Sequence, residues 1–470
     1  MNWIRRLLDF KGHPSIGNQR EASALFERAQ AVERAGDVAG ATQAYTKIIK
    51  RASDYAPALF ALATLYGSAG NWPEAERYME RVTEVLPGSF EAHFGLGVAR
   101  GNKHDYANAR RPLQRAVDLK PDDAGARFLL ASAFFACKEP AKAIPHLVMT
   151  IDLESSNRTA YLHLGRAYFL CNESKKAEEI LDRLIDLDSA DVHKYLDVYG
   201  TYIDANAQDA AARLCERAIS ECSEKGSACF MAGMFHFKYE RFEQAVHYFT
   251  MAEEHGYDAL VFPGIMGRAL LKCGKIEEGI SYIRRSLLPD EDTTFDLGIA
   301  YVHKRDIPAA AHAFEDVVKM NPQNAEALYN LGVARGMLGD LQIAAKCYEM
   351  TLVLQPGHQK ARYNLGLSLS LLKRYDEAIT VLLSLLDTDP TNPKALFQLG
   401  TAYHNSEKHQ ASIQVFEQLV KISPEDAGAW FSLGSSYFAI GDRATAERRK
   451  KTLAKLDRDL ANTLEELLSQ

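Results

Sequence analysis

The chain has 470 residues, 47 % hydrophobic and 25 % charged, so it carries material for a large core and does not read as a disordered segment. Its net charge of −7 argues against nucleic acid, which is held by strongly basic faces. Seven cysteines, at 137, 171, 215, 222, 229, 273 and 347, make no CxxC pair and no metal-ligand spacing; they read as reduced, buried thiols of a cytoplasmic protein.

Residues 1–21 open the chain with MNWIRRLLDFKG. On a helix, Trp3, Ile4, Leu7 and Leu8 share one face while Arg5 and Arg6 lie off it. This segment is expected to be a short amphipathic helix folding back on the neighbouring hairpin, with a membrane surface touched through residues 2–10 as the competing use. Charges interrupt its apolar stretch and no A-x-A-like site comes after it, so it is not a usual signal peptide. No run of 18 apolar residues occurs anywhere, and no transmembrane helix is expected.

From residue 22 onward the chain repeats itself every 34 residues. YNLGVARGMLGDLQIAAKCYEMTLVLQP (329–356) returns as YNLGLSLSLLKRYDEAITVLLSLLDTDP (363–390). With the Leu-Gly pair placed at positions 7 and 8, position 4 is large, position 11 often aromatic, position 20 usually alanine, position 24 bulky and position 32 proline in six repeats. At about 100° per residue, positions 4, 8 and 11 share one helix face, and positions 20, 24 and 27 share the face of a second helix. Gly or Asp near positions 15 and 16 separates the two, and Pro at 32 stops the second before the next unit. Each unit is a helical hairpin that buries its apolar face only by stacking on its neighbours. Residues 22–191 hold regular units one to five, 192–290 irregular units six to eight, and 291–456 regular units nine to thirteen. In the irregular stretch Tyr199 takes the small-residue slot, Pro263 and Gly279 take large and alanine slots, and three residues are missing. The tail 457–470 continues a leucine stripe, Leu456, Leu460, Leu464, Leu467 and Leu468, with Glu465 and Glu466 off it, as a terminal capping helix requires.

These markers resemble the tetratricopeptide repeat family over almost the whole chain. The resemblance implies an all-α, right-handed α-solenoid of stacked helix-turn-helix units, with the first helix of each hairpin (helix A) on the concave side and the second (helix B) outside.

Catalytic patterns are missing. GLGVARG (95–101) has GxGxxxG spacing inside a helix, where the repeat already accounts for Gly97. No P-loop, HExxH, GxSxG or EF-hand loop occurs, and His163, His303 and His404 sit in different repeats. Cys137, Cys171 and Cys273 share position 14, which points to packing. The basic run ERRKK (447–451) reads as a solvated face. We expect no enzyme activity, no catalytic residue, no cofactor and no metal.

What remains is surface. On helix A, positions 2, 6, 9 and 13 lie opposite position 4, and position 5 borders that stripe with an aromatic ring in most units. The candidate partner-binding residues are Tyr329, Asn330, Tyr363, Asn364, Phe397, Gln398, Thr401, His404 and Asn405, with Arg166 further upstream. Asn330, Asn364 and Gln398 follow one another at position 6, which resembles in part the amide ladder of the O-GlcNAc transferase superhelix. The carboxylate clamp of chaperone-binding members is not matched: Asn364 and Lys394 fit two of its slots, while Tyr329, Val333 and Gln398 fail the others. The expected function is a scaffold or adaptor holding an extended or helical segment of another protein. The alternative is an accessory subunit presenting substrate within an enzyme complex, such as a glycosyltransferase or envelope-assembly machine.

Overall fold

The computed structural model describes residues 16–469, with side chains from Glu21 onward; the amphipathic stretch expected over residues 2–10 lies outside the described residues. The described residues form 27 helices and no strand. They divide into two compact units, residues 16–235 with Thr250–Gly256, and His236–Phe249 with residues 257–469. Each unit is a stack of antiparallel hairpins.

A typical hairpin in the second unit pairs helix A, Ala325–Met337, with helix B, Leu341–Leu354. Their closeness is set by Gly332 at position 8. A Cβ there would sit 2.7 Å from the ring of Tyr348, the position-24 residue of the partner helix. The same contact joins Gly400 to Phe416 in the second unit, and Gly97 to Leu113 in the first. Alanine at position 20 completes the crossing: Ala41, Ala109 and Ala344 are fully buried. Small against large interlocks the two helices at close-packed density.

The turn between the helices is a Schellman motif in which position 15 takes a left-handed backbone. All thirteen repeats show it. Gly36, Gly70, Gly274, Gly339 and Gly441 fill it in five, while residues as ordinary as Lys373 and Glu407 adopt φ of 61° and 62° in others. The Asp340 N–H closes the motif on the Arg335 carbonyl at 2.9 Å. Helix B then starts on an N-cap: Asp37, Asp306 and Asp442 each accept a backbone N–H three residues on.

The three missing residues fall at one place in the second unit. Helix B of the short repeat, Ile276–Arg285, has 10 residues where Leu341–Leu354 has 14. Its helix A, Phe262–Lys272, begins late with Pro263 in its first turn. The two backbones touch at Gly267 and Gly279: a Cβ on Gly279 would lie 2.9 Å from the Gly267 carbonyl. The lost helical turn leaves Leu287 and Leu288 exposed.

At the far end of the second unit, helix Arg458–Ser469 packs Ala461, Leu464 and Leu468 onto the last hairpin. The leucine stripe read from the sequence is one residue too long. Helix Arg443–Leu456 ends at Leu456, which is exposed, and the chain breaks at Asp457. Position 24 of this last repeat is Lys450, paired with Glu447 and Glu465. The bulky contact on Gly434 comes instead from Leu464, 2.6 Å from a Cβ built there.

Two outcomes test this account. Glu407→Gly relieves a left-handed backbone and is expected to stabilise its hairpin by about 1 kcal/mol, while Gly339→Val costs about 1–2 kcal/mol; urea midpoints of the full chain report both. Leu464→Ala is expected to cost about 2–5 kcal/mol, with hydrogen exchange accelerated in the last hairpin before the rest.

Candidate partner-binding face

Six of the ten expected binding residues fall at helix A positions 6, 9 and 13; Tyr329, Tyr363 and Phe397 stand beside them at position 5, and His404 at position 12. Nine of the ten lie in the second unit, on helices Ala325–Met337, Gln359–Leu371 and Pro393–Asn405. Arg166 lies in the first, on Arg158–Leu170, where it is exposed and pairs with Asp204 at 3.4 Å.

Aromatic position 5 is half-buried, and the reason is the hairpin contact itself. Phe397 lies 5.8 Å, edge to face, from Phe416, the ring that covers Gly400. Tyr329 stands 6.0 Å from Tyr348 and 4.7 Å from His358. These rings pack on position 24 of their own hairpin, and Phe397 also approaches Gly428 of the next repeat at 3.4 Å from a built Cβ. Half of each ring is therefore core and half is available surface.

The amides are partly engaged already. Asn330 Nδ2 donates to the Glu326 carbonyl at 2.9 Å, and Asn364 Nδ2 stands 3.5 Å from the Tyr329 hydroxyl, linking two repeats. Gln398 is half-buried and Asn405 exposed. Thr401 donates to the Phe397 carbonyl at 2.9 Å. His404 Nδ1 lies 3.0 Å from Ser436 Oγ. Burial lowers the pKa of His404, and neighbouring His409 adds to the effect.

Four apolar residues share the stripe without standing out in the sequence. Met337 is 65 % exposed and Leu371 59 % exposed, with Val333 and Leu367 half-buried one turn before them. Their position numbers are the available signal. Ser412 and Ser436 are equally inconspicuous: each is fully buried in a slot that is alanine in most other repeats.

Charge divides this face within the second unit. In the short repeat and the one after it, Asp296 is held by Arg268 at 2.9 Å and Lys272 at 3.0 Å. In the last four repeats, positions 6, 9 and 13 carry no charged residue, from Asn330, Val333 and Met337 through Ser432, Ser435 and Ala439, and charge is confined to position 2, with Glu326, Lys360 and Lys394. Among the described residues, no group of three or more His, Cys, Asp or Glu is placed to hold a metal, and no helix is long and apolar enough to cross a membrane.

A stack of hairpins with one recurrent face of this kind is a protein-interaction scaffold. Family models described as tetratricopeptide repeat match residues 34–96, 99–149, 159–191, 295–341, 336–393 and 393–426. The matches together span more than half of the chain, and the chain belongs to the tetratricopeptide repeat family. Among solved structures, it is similar to MamA (residues 41 to the end) from Desulfovibrio magneticus RS-1, at 25 % identity over 36 % of this chain and 96 % of that one, TM-score 0.35. The Naa15/Naa10 complex bound to HypK matches at 12 % identity over 96 % and 97 %, TM-score 0.35. The Cut9–Hcn1 assembly of the APC/C matches at 12 % over 88 % and 96 %, TM-score 0.32. No curated protein sequence matches the chain.

In the first unit, His163 packs between Phe128 and Phe135, with ring centroids 5.4 and 5.7 Å away. Burial lowers its pKa, and Arg166 lowers it further. The unfolded chain protonates this ring near pH 6.5, whereas the folded one does so only at lower pH. Stability contributed by the neutral ring is thus present above about pH 6.5 and falls as the pH drops toward the folded value. His163→Phe is expected to flatten that part of the pH dependence, read as urea midpoints at about pH 5.5 and 7.5.

Proposed function

We propose that the chain is a non-enzymatic scaffold of the cytoplasm whose helix A face, over repeats ten to thirteen, holds an uncharged extended or helical segment of another protein. One observation carries this reading: positions 6, 9 and 13 of four successive repeats hold no charged residue, and Met337 and Leu371 stand exposed there among amides and half-buried rings. Apolar side chains supply the area removed from water, at about 25 cal/mol per Å². The rings border it, and Gln398 and Asn405 offer donors and acceptors to a peptide backbone. The ion pairs at Asp296 end this stretch on one side with side chains already matched to one another. All seven cysteines are free, four of them buried, which suits a reducing compartment.

The test is capture of partners by the full chain, compared with a Met337→Asp/Leu371→Asp variant and a Val353→Asp control on helix B, where Val353 is 80 % exposed. Because the substituted residues are exposed, all three proteins are expected to share one melting curve. The double variant is expected to bind the captured partner at least about tenfold more weakly, a loss of about 1.4 kcal/mol or more, and the control to bind it unchanged. Loss confined to the Val353 variant would place binding on the outer helices and end this reading.

A further inference from the structure

A pocket of about 130 Å³ opens between helices Pro393–Asn405 and Ala427–Ala439, on the helix A face. It has room for roughly four waters at about 30 Å³ each. Phe416 and Phe431 give it apolar walls, and Thr401, His404, Ser432 and Ser435 line the rest. The Thr401 hydroxyl is spent on the Phe397 carbonyl. The Ser432 and Ser435 hydroxyls make no hydrogen bond to the described residues, although both are only half-exposed.

His404 joins a serine network at the wall of this pocket. Ser412 Oγ lies 2.9 Å from the Gly400 carbonyl, and Ser436 Oγ lies 2.8 Å from the Ser432 carbonyl. The two hydroxyls are 3.0 Å apart. Ser436 Oγ also meets His404 Nδ1 at 3.0 Å, a contact that either group can donate. His404 Nε2 makes no hydrogen bond among the described residues. The pocket thus offers an imidazole nitrogen, two free hydroxyls and aromatic walls, with no charged group.

We propose that this pocket is a side-chain subsite for one residue of the bound segment: an uncharged side chain tipped by a hydroxyl or a carboxamide, of tyrosine size or smaller. The assignment rests on the proposed binding face. A hydroxyl or carboxamide both donates and accepts, as the serine hydroxyls and the imidazole do, whereas an ammonium would lose its water to a site with too few acceptors to replace it. The groups around His404 are few. His409, on helix His409–Ile422, stands 5.0 Å away between ring centroids. Helix Ala427–Ala439 carries no charged residue, and Gln359–Leu371 has Lys360 and Arg362 in its first turn, at the far end. Glu407 and Lys408 lie in the adjoining turn, Lys408 paired with Asp376.

A random-peptide display library selected on the full chain tests the subsite. Wild type is expected to enrich peptides in which one position is confined to Ser, Thr, Tyr, Asn or Gln. Ser435→Phe, which fills the pocket, is expected to abolish that restriction and weaken the wild-type peptides about tenfold. Ser435→Ala, which keeps the volume open, is expected to weaken them less. Peptides that depend on Met337 and Leu371 but show no such position, or keep it in folded Ser435→Phe, would overturn the subsite alone. A position confined to acidic, basic or aliphatic residues would overturn it as well. Absence of any enrichment, or enrichment indifferent to Met337→Asp/Leu371→Asp, would overturn the binding face and the subsite together.

Discussion

The regular hairpins of this molecule depend on one contact, a small residue on helix A, most often glycine, facing one large side chain on helix B. Gly332 under Tyr348 and Gly400 under Phe416 bring two helices close enough to exclude water between them. The same large ring is then the seat for the aromatic residue at position 5, as Phe416 is for Phe397. Hairpin closure and surface are therefore not separate designs. The ring that locks a hairpin also holds half of another ring at its edge, and that exposed half borders the face open to a partner.

Much of this is legible in the sequence because the contact imposes a spacing. A small residue at one position and a large one sixteen later can be counted, and the count alone yields thirteen units. The left-handed turn at position 15 is half-legible. Glycine marks it in five repeats, but Lys373 and Glu407 accept the same backbone with no signal in their chemistry. The end of the last hairpin is misleading for a related reason. A leucine stripe continues through Leu456 in sequence, while the chain interrupts its helix at Asp457, and only packing shows which leucines are covered.

The binding face is legible by position and not by occupancy. Periodicity places Asn330 on it, but the amide's bond to the Glu326 carbonyl depends on a side-chain rotamer that no spacing encodes. Met337 and Leu371 show the opposite failure. An apolar residue in a helical pattern is assumed to be core, and these two are exposed because the facing helices leave them uncovered. The charge boundary at Asp296 has an energetic sense. The Asp296 side chain is only 11 % exposed, so its carboxylate would be costly unpaired, and Arg268 and Lys272 offset that cost. Their effect is to remove charge that would otherwise greet a partner.

The closing helix has a meaning for how such a chain can grow. Interior hairpins carry their own large residue at position 24 and are complete pieces that duplication can copy in register. The last hairpin is not. It has Lys450 in that place and borrows Leu464 from the helix after it. A copy of residues 427–456 inserted elsewhere would carry an uncovered glycine and a misplaced cation, so lengthening at this end is disfavoured. The last hairpin and the helix after it thus form one block, each supplying what the other lacks.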